Sequence, residues 1–438
     1  MNKWILSDFN KKEFFLSILI PICLVVLEVL QLKVMFYVIL ALSVVLISKP
    51  LVIFPGYYIA SLSPTYFGTG EGTSISRYLS VILIASFIFH IINRNKKHLK
   101  SGSYTVLLIV YSLFSCLFSF TGSLEPFFLM IQNLLVFMLL QQQEDANTKT
   151  LYTSLFVSCL IVLVGLWYQM IWSGATLYEE RYSVEDVNTN RLAMMCEQIA
   201  AMSLFPFFVS KNYSLKIFSM IMFIAGVVMT FLSGSRSAMI GVMGSVTLLL
   251  LILSKRNIKH AFIPVTIILV VTYVLVDYLN QIDTTLSQRF QLDTLGDSGS
   301  IDARLVSHRI ILYNIFPHHM LFGVGMGGKN ILEAGQQFSL VVPAHNIIID
   351  PISQLGIIGF VLFIVPIVKV LRKSIHILSI NNTLKPMACM VLLLVFAAIF
   401  NGMGEVIFYE KFFWNNLALG ALLINLSHKS EASALREE

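Results

Sequence analysis

Long apolar runs alternate with short polar breaks along most of the chain. The runs lie near 14–31, 34–54, 77–93, 104–120, 127–141, 151–173, 191–209, 216–233, 238–254, 261–279, 347–368, 387–401 and 412–427. Most approach the ~17–25 residues that a helix needs to cross about 30 Å of hydrocarbon. No period-two alternation runs through them, and in hydrocarbon only helices and closed barrels satisfy every backbone group. The pattern therefore predicts an all-α polytopic membrane protein with about 12–14 transmembrane helices. One stretch breaks it. Residues 280–346 form a long polar segment between apolar spans, which divides the chain into an amino-terminal bundle (1–279), a large loop (280–346), and carboxy-terminal helices with a tail (347–438).

The amino-terminal third leaves the count open. Thirteen spans would place the N-terminus outside, whereas Lys11 and Lys12 argue for inside. Either 14–54 crosses once with an interfacial piece, or 51–62 makes an extra short or re-entrant span. The run from Phe14 lacks a small-residue cleavage site, so it reads as a retained first helix and not a signal peptide.

Composition sharpens the membrane reading. The chain is 57% hydrophobic and 12% charged, about half the charge of soluble domains. Its net charge of +6 does not point to nucleic acid, because the basic residues gather in short breaks between spans. These are Arg94 to Lys100, Lys211 and Lys216, Lys255 to Lys259, and Lys369 to Lys385, the pattern of cytoplasmic loops. By that count 121–126, 174–190 and the 280–346 segment face outward, and 280–346 becomes a large extracytoplasmic loop containing helices. The five cysteines lie in apolar spans without a CxxC, so neither a disulfide framework nor a metal site is expected. His318-His319 lacks a helical carboxylate pattern and does not read as a metal site. GVGMGG at 323–328 neither follows a strand nor ends in GK[ST]; it reads as a bend returning the loop to the membrane. No cofactor is implied.

Chemistry concentrates where polar residues meet the membrane boundary. Arg236 stands in FLSGSRSAMIG among small residues that permit close approach of a ligand. An arginine there is costly unless paired or snorkelling, and its guanidinium matches phosphate oxygens bidentately. Anchoring to lipid headgroups is the competing reading. Arg191 opens the span at 191–209, with Asn188 or Asn190 placed to cap it. Glu197, about 600° of helical turn further on, points to another side and is not its simple partner. In the large loop, DARLVSHRIILYNIF (302–316) reads as a helix ending before Pro317. Arg304 and His308 share one face of it, while Arg309 falls about 140° from Arg304. His345-Asn346 opens the next span, where a histidine at the water boundary suits proton transfer; helix capping is its alternative. Glu405 and Glu410 follow on the outer side, Glu405 as a reserve base.

SGSRSA after one span, DARLVSHRIILYNIFPHHMLFGVGMGG in the long loop and PAHNIIIDPISQLGIIGF at the next span together resemble the O-antigen ligase/polymerase superfamily. The resemblance covers roughly 188–427. It implies a GT-C-like membrane glycosyltransferase, inverting and metal-independent, acting at the outer face of the bacterial cytoplasmic (inner) membrane. Its substrates would be an undecaprenyl-diphosphate-linked glycan donor and acceptor, its surroundings membrane lipids, and its partners a chain-length regulator and a flippase. By the same resemblance Arg236 and Arg304 are diphosphate binders, and His345 orients or deprotonates the attacking hydroxyl. Arg191, Arg309, His308 and Asn346 complete the expected substrate-binding set. Where the family often places an aromatic shortly after the loop arginine, this chain has Leu-Val-Ser-His-Arg; Arg304 is favoured over Arg309 because Leu305 follows it. Within the superfamily the repeat-unit polymerase is favoured over the ligase that transfers glycan to lipid A core. Small-solute transport is the reading from another class. It would require polar residues lining the middle of several spans, and such residues are few, with Glu28, Gln132 and Glu197 the main ones.

Overall fold

The computed structural model describes residues 9–30, 32–63, 74–93, 103–117, 124–143, 146–174, 188–254, 299–326, 344–380 and 383–437, with two short strands and a few isolated positions. The predicted span 261–279 and much of the large loop lie outside the described residues. The apolar runs fold as α1 (Lys11–Leu30), α2 (Val34–Val45), α3 (Pro50–Leu62), α4 (Ile75–Asn93), α5 (Ser103–Leu117), α6 (Glu125–Gln141) and α7 (Thr148–Tyr168). A π-helical turn, Gln169–Gly174, prolongs α7 into a two-stranded antiparallel hairpin, β1 (Thr176–Tyr178) and β2 (Arg181–Ser183). Then come α8 (Thr189–Val209), α9 (Tyr213–Leu232), α10 (Arg236–Ser254), α11 (Gly299–Arg309), α12 (Phe316–His319), α13 (Ile349–Ser379), α14 (Lys385–Asn401) and α15 (Lys411–Glu437). Six helices are long and apolar enough to cross a membrane, and shorter apolar helices pack among them. The protein is an all-α, multi-pass membrane protein.

α14 lies at the centre. Nearly every residue from Pro386 to Ala398 is buried, and α8, α10, α13 and α15 surround it. Polar residues within this interior bond to one another. Tyr58 donates to Asn416 (2.9 Å), Asn416 donates to Gln198 (2.9 Å), and Asn415 donates to Ser61 (2.8 Å). Glu197 accepts from Asn401 across the α8–α14 contact. These pairs hold α3, α8, α14 and α15 together, as interhelical hydrogen bonds do in membranes. Arg191 and Glu197 do point to different partners.

The expected span 34–54 is two helices. The chain turns at 46–49 because Pro50 drives Lys49 out of the helical region (φ −128°, ψ 71°) and then occupies the first turn of α3. The amino-terminal third thus contains three helices, α1, α2 and α3. A second expectation fails at Pro317. The loop helix does not end before it: a π-helical segment, Ile310–Ile315, follows α11, and Phe316 bonds back to Ile311. That i→i−5 register absorbs an extra residue, so Pro317 falls in the first turn of α12, where its missing N–H costs nothing. The tail is also helical well past the expected span end, since α15 runs to Glu437.

α13 is broken at Gly356 (φ 64°, ψ −173°), a conformation essentially restricted to glycine. A break inside a membrane helix orphans backbone groups that must be paired within the protein. The segment after α12 supplies the partners. Ile357 donates to Met320 (2.9 Å), while Val324 and Gly325 donate to Ser353 (2.9 Å) and Gln354 (3.0 Å). Gly323 (φ 71°) and Gly325 (φ 102°) provide the turn. This is the bend expected of GVGMGG. A Cβ on Gly356 would lie 2.6 Å from the Gly323 nitrogen. Gly356→Ala should therefore cost about 1–3 kcal/mol in backbone strain alone, visible as a lowered thermal midpoint in detergent.

Candidate active site

Because consecutive helices reverse direction, the first turns of α4, α8, α10, α13 and α15 and the last turn of α14 lie at one end of the bundle. The expected chemistry converges there on Glu405, in the turn between α14 and α15. Its Oε1 accepts from Asn190 Nδ2 (3.0 Å) and from Arg304 Nη2 (3.3 Å). Its Oε2 lies 3.4 Å from His345 Nδ1. That last contact is electrostatic, without hydrogen-bond geometry, and the nitrogen is buried. Glu405 is only 12% exposed at its side chain, so a charged carboxylate there depends on these partners.

Each partner is delivered by local sequence. Asn188 caps α8 by accepting from the Asn190 N–H (2.9 Å), so of the two candidates Asn188 is the cap and Asn190 is left to reach Glu405. The short side chains of SGSRSA allow the α9–α10 turn, with Gly234 at φ 67° and Arg236 as the first residue of α10. A Cβ on Gly404 would stand 2.9 Å from Ser237 Cβ and 3.6 Å from Arg304 Nη1. The SGSRSA turn, the loop helix α11 and the 402–405 turn thus meet at one glycine.

His345 is the one non-glycine residue with positive φ (48°) among the described residues. Its neighbours hold it there. Asn346 Oδ1 accepts from Ile348 (2.9 Å) and Ile349 (3.2 Å), starting α13, and its Nδ2 donates to Met403 O (3.3 Å). The Asn346 N–H donates to Asp350 (3.0 Å), and Ile347 donates to Gly402 O (2.6 Å). His308 Nε2 donates to Ala344 O at 2.6 Å, tying α11 to the residue before His345. Asn346 and His308 are thereby engaged in shaping the turn.

Arg191 pairs with Glu410 at the first turn of α15 and stands beside the Glu405 cluster. Arg309 is exposed and makes no ion pair among the described residues. Of the two loop arginines, Arg304 is the one that joins the Glu405 cluster. Sequence reasoning missed Asn190 and Asp350 as parts of this site. Asp350 is buried and accepts from the Asn346 N–H, and its position in the first turn of α13, four residues after Asn346, was the available signal. No group of three or more His, Cys, Asp and Glu able to hold a metal occurs among the described residues.

Residues 221–364 match the O-Antigen ligase family. That segment supports the resemblance of the chain to the O-antigen ligase/polymerase superfamily. The match spans Arg236, Arg304, His345 and the break at Gly356. Asn190, Arg191, Glu405 and Glu410 lie outside it and join the site through the contacts above. No curated protein matches the chain. Members of this superfamily are membrane enzymes of the glycosyl-transferring kind, in keeping with a multi-pass bundle whose charged residues cluster at one end.

Proposed function

We propose that the protein is a polysaccharide repeat-unit polymerase. It would transfer a growing glycan from undecaprenyl diphosphate to a lipid-linked repeat unit, with inversion and without a metal. The observation that carries the reading is the convergence of Arg304 and His345 on Glu405 beside the SGSRSA turn. Cleaving a sugar–phosphate bond builds negative charge on the departing diphosphate, and fixed cations preorganised there stabilise it. Arg304 spends one nitrogen on Glu405, and a guanidinium carries five N–H donors in a rigid fork, so donors remain for phosphate oxygens. Arg236 supplies the second cation.

His345 would take the proton of the attacking sugar hydroxyl. Glu405, 3.4 Å from Nδ1, would stabilise the imidazolium that forms when the proton arrives, the electrostatic part of the role a carboxylate plays beside a catalytic imidazole. We place the site at the outer face of the bacterial inner membrane, where lipid-linked glycans are presented, with a chain-length regulator and a flippase as cellular partners. Basic residues at the opposite end of the bundle, Lys211, Lys216, Lys369, Arg372, Lys373 and Lys385, support that orientation.

Product analysis in cells separates polymerase from ligase. Loss of the gene should leave only single lipid-linked repeats; free lipid-linked polymer in its absence would mean the protein is the ligase. Turnover should also survive a chelator at an unchanged rate, measured on purified protein with and without EDTA; a loss restored by a divalent ion would defeat the metal-free mechanism.

A further inference from the structure

The mechanism above puts a transient positive charge on His345, with Glu405 as one carboxylate beside it. α13 brings a second. Asp350 stands in the first turn of that helix, 1% exposed, and its Oδ2 accepts from the Asn346 N–H at 3.0 Å. The Ala344 N–H also donates to the carboxylate, which lies within electrostatic reach of His345 and Glu405. One buried side chain thus holds the residues on either side of His345.

Asn346 answers from the other direction, its Oδ1 accepting from Ile348 and Ile349. This reciprocal pattern resembles a capping box, in which glutamine serves as well as glutamate because only an acceptor oxygen is needed. Two features of Asp350 go beyond that. It is buried, where a carboxylate costs far more than a carboxamide. Its charge also falls on the turn that carries His345, the residue held at φ 48°. Glu405 divides its oxygens among Asn190, Arg304 and His345, so an arginine already balances part of its charge. Asp350 is held, among the described residues, by neutral N–H groups of the His345 turn itself.

We propose that Asp350 is a positioning residue for the reaction: it fixes the 344–346 turn, and its negative charge stabilises the imidazolium that forms on His345. As the hydroxyl oxygen bonds to the anomeric carbon, the sugar–phosphate bond breaks and the diphosphate keeps the electron pair. The hydroxyl proton passes to the imidazole, whose new charge Asp350 and Glu405 share. The inference rests on His345 being the base of a glycosyl transfer, and it holds for polymerase and ligase alike.

Three variants of the full-length protein test it, beside His345→Asn as the background that lacks the imidazole. Asp350→Asn keeps an acceptor oxygen and the size of the side chain but removes the charge. Its kcat should fall about ten- to a hundredfold, the scale of one nearby opposite charge, with the KM for donor and the thermal midpoint nearly unchanged. Asp350→Glu, which keeps the charge, should recover part of that loss. In the His345→Asn background Asp350→Asn should cost little more, because its effect passes through the imidazole. Should Asp350→Asn fold poorly, Asp350→Ser supplies an uncharged acceptor for the same comparisons. Parental kcat in the uncharged variant would make Asp350 a capping acceptor only and overturn the proposal. The same factor lost with and without His345 would overturn it too, as would Asp350→Glu no better than Asp350→Asn with both midpoints lowered. A wild-type protein that builds no ladder from lipid-linked repeats and caps lipid A core instead refutes the polymerase reading alone, and the kcat comparison is then made on that transfer.

Discussion

Arg304→Ala is expected to reduce polymer formation by about 10³-fold or more, the scale on which arginines that neutralise transition-state phosphate charge act. The side chain would act through its fork, so Arg304→Lys, which keeps the charge and loses the bidentate geometry, should recover only a minor part of the rate. Removal also leaves Glu405 with Asn190 and His345 alone, and a part-buried carboxylate that loses its cation destabilises its surroundings. The rate must therefore be read on protein that remains monodisperse and keeps a thermal midpoint near that of the parent. Single-turnover assays of lipid-linked product on a gel read both variants, and normal polymer from Arg304→Ala would remove the arginine from the mechanism.

Replacing His345 should cost about 10²–10⁴-fold in kcat, the usual contribution of a positioned general base. The choice of replacement matters because His345 holds positive φ, a conformation alanine resists and asparagine adopts readily. His345→Asn keeps the turn that starts α13 while removing the base. A large fall in kcat is expected with little change in the KM for donor, since in the proposed mechanism arginines would hold the diphosphate. Near-normal polymer from His345→Asn would make the residue a turn former whose imidazole is idle. His345→Ala should lose the same chemistry and add a fall in thermal stability.

The helices were legible in the sequence because apolar runs of membrane length have few alternatives in hydrocarbon. Their interruptions were harder to see. Pro50 sits inside an apolar run, and only the geometry of Lys49 shows that the chain turns there instead of kinking. Pro317 misled in the opposite direction, since a π-helical segment carried the chain past it. The break at Gly356 is satisfied by residues more than thirty positions earlier, 320–325, a pairing that no local period reveals.

The same distance effect governs the site. Arg304, His345 and Glu405 could each be singled out from chemistry at the membrane boundary, but not their meeting point. Glu405 reaches back to Asn190 over 215 positions and to Arg304 over 101. Asn190 looked like a helix cap because that is what asparagine most often does before a helix; Asn188 took the role and freed it. Arg304 was favoured over Arg309 in the sequence, and the structure adds that Arg304 reaches Glu405. Glu197, conspicuous as a buried carboxylate, turned out to bridge α8 to α14 through Asn401, away from the cluster.

In vitro turnover tests the central claim most directly. Purified protein is given lipid-diphosphate-linked repeat units alone, and the products are run on a gel. The account predicts a ladder of lengthening lipid-linked glycan from that single substrate. No ladder, with one capped product appearing only after lipid A core is added, would contradict it and make the protein a ligase.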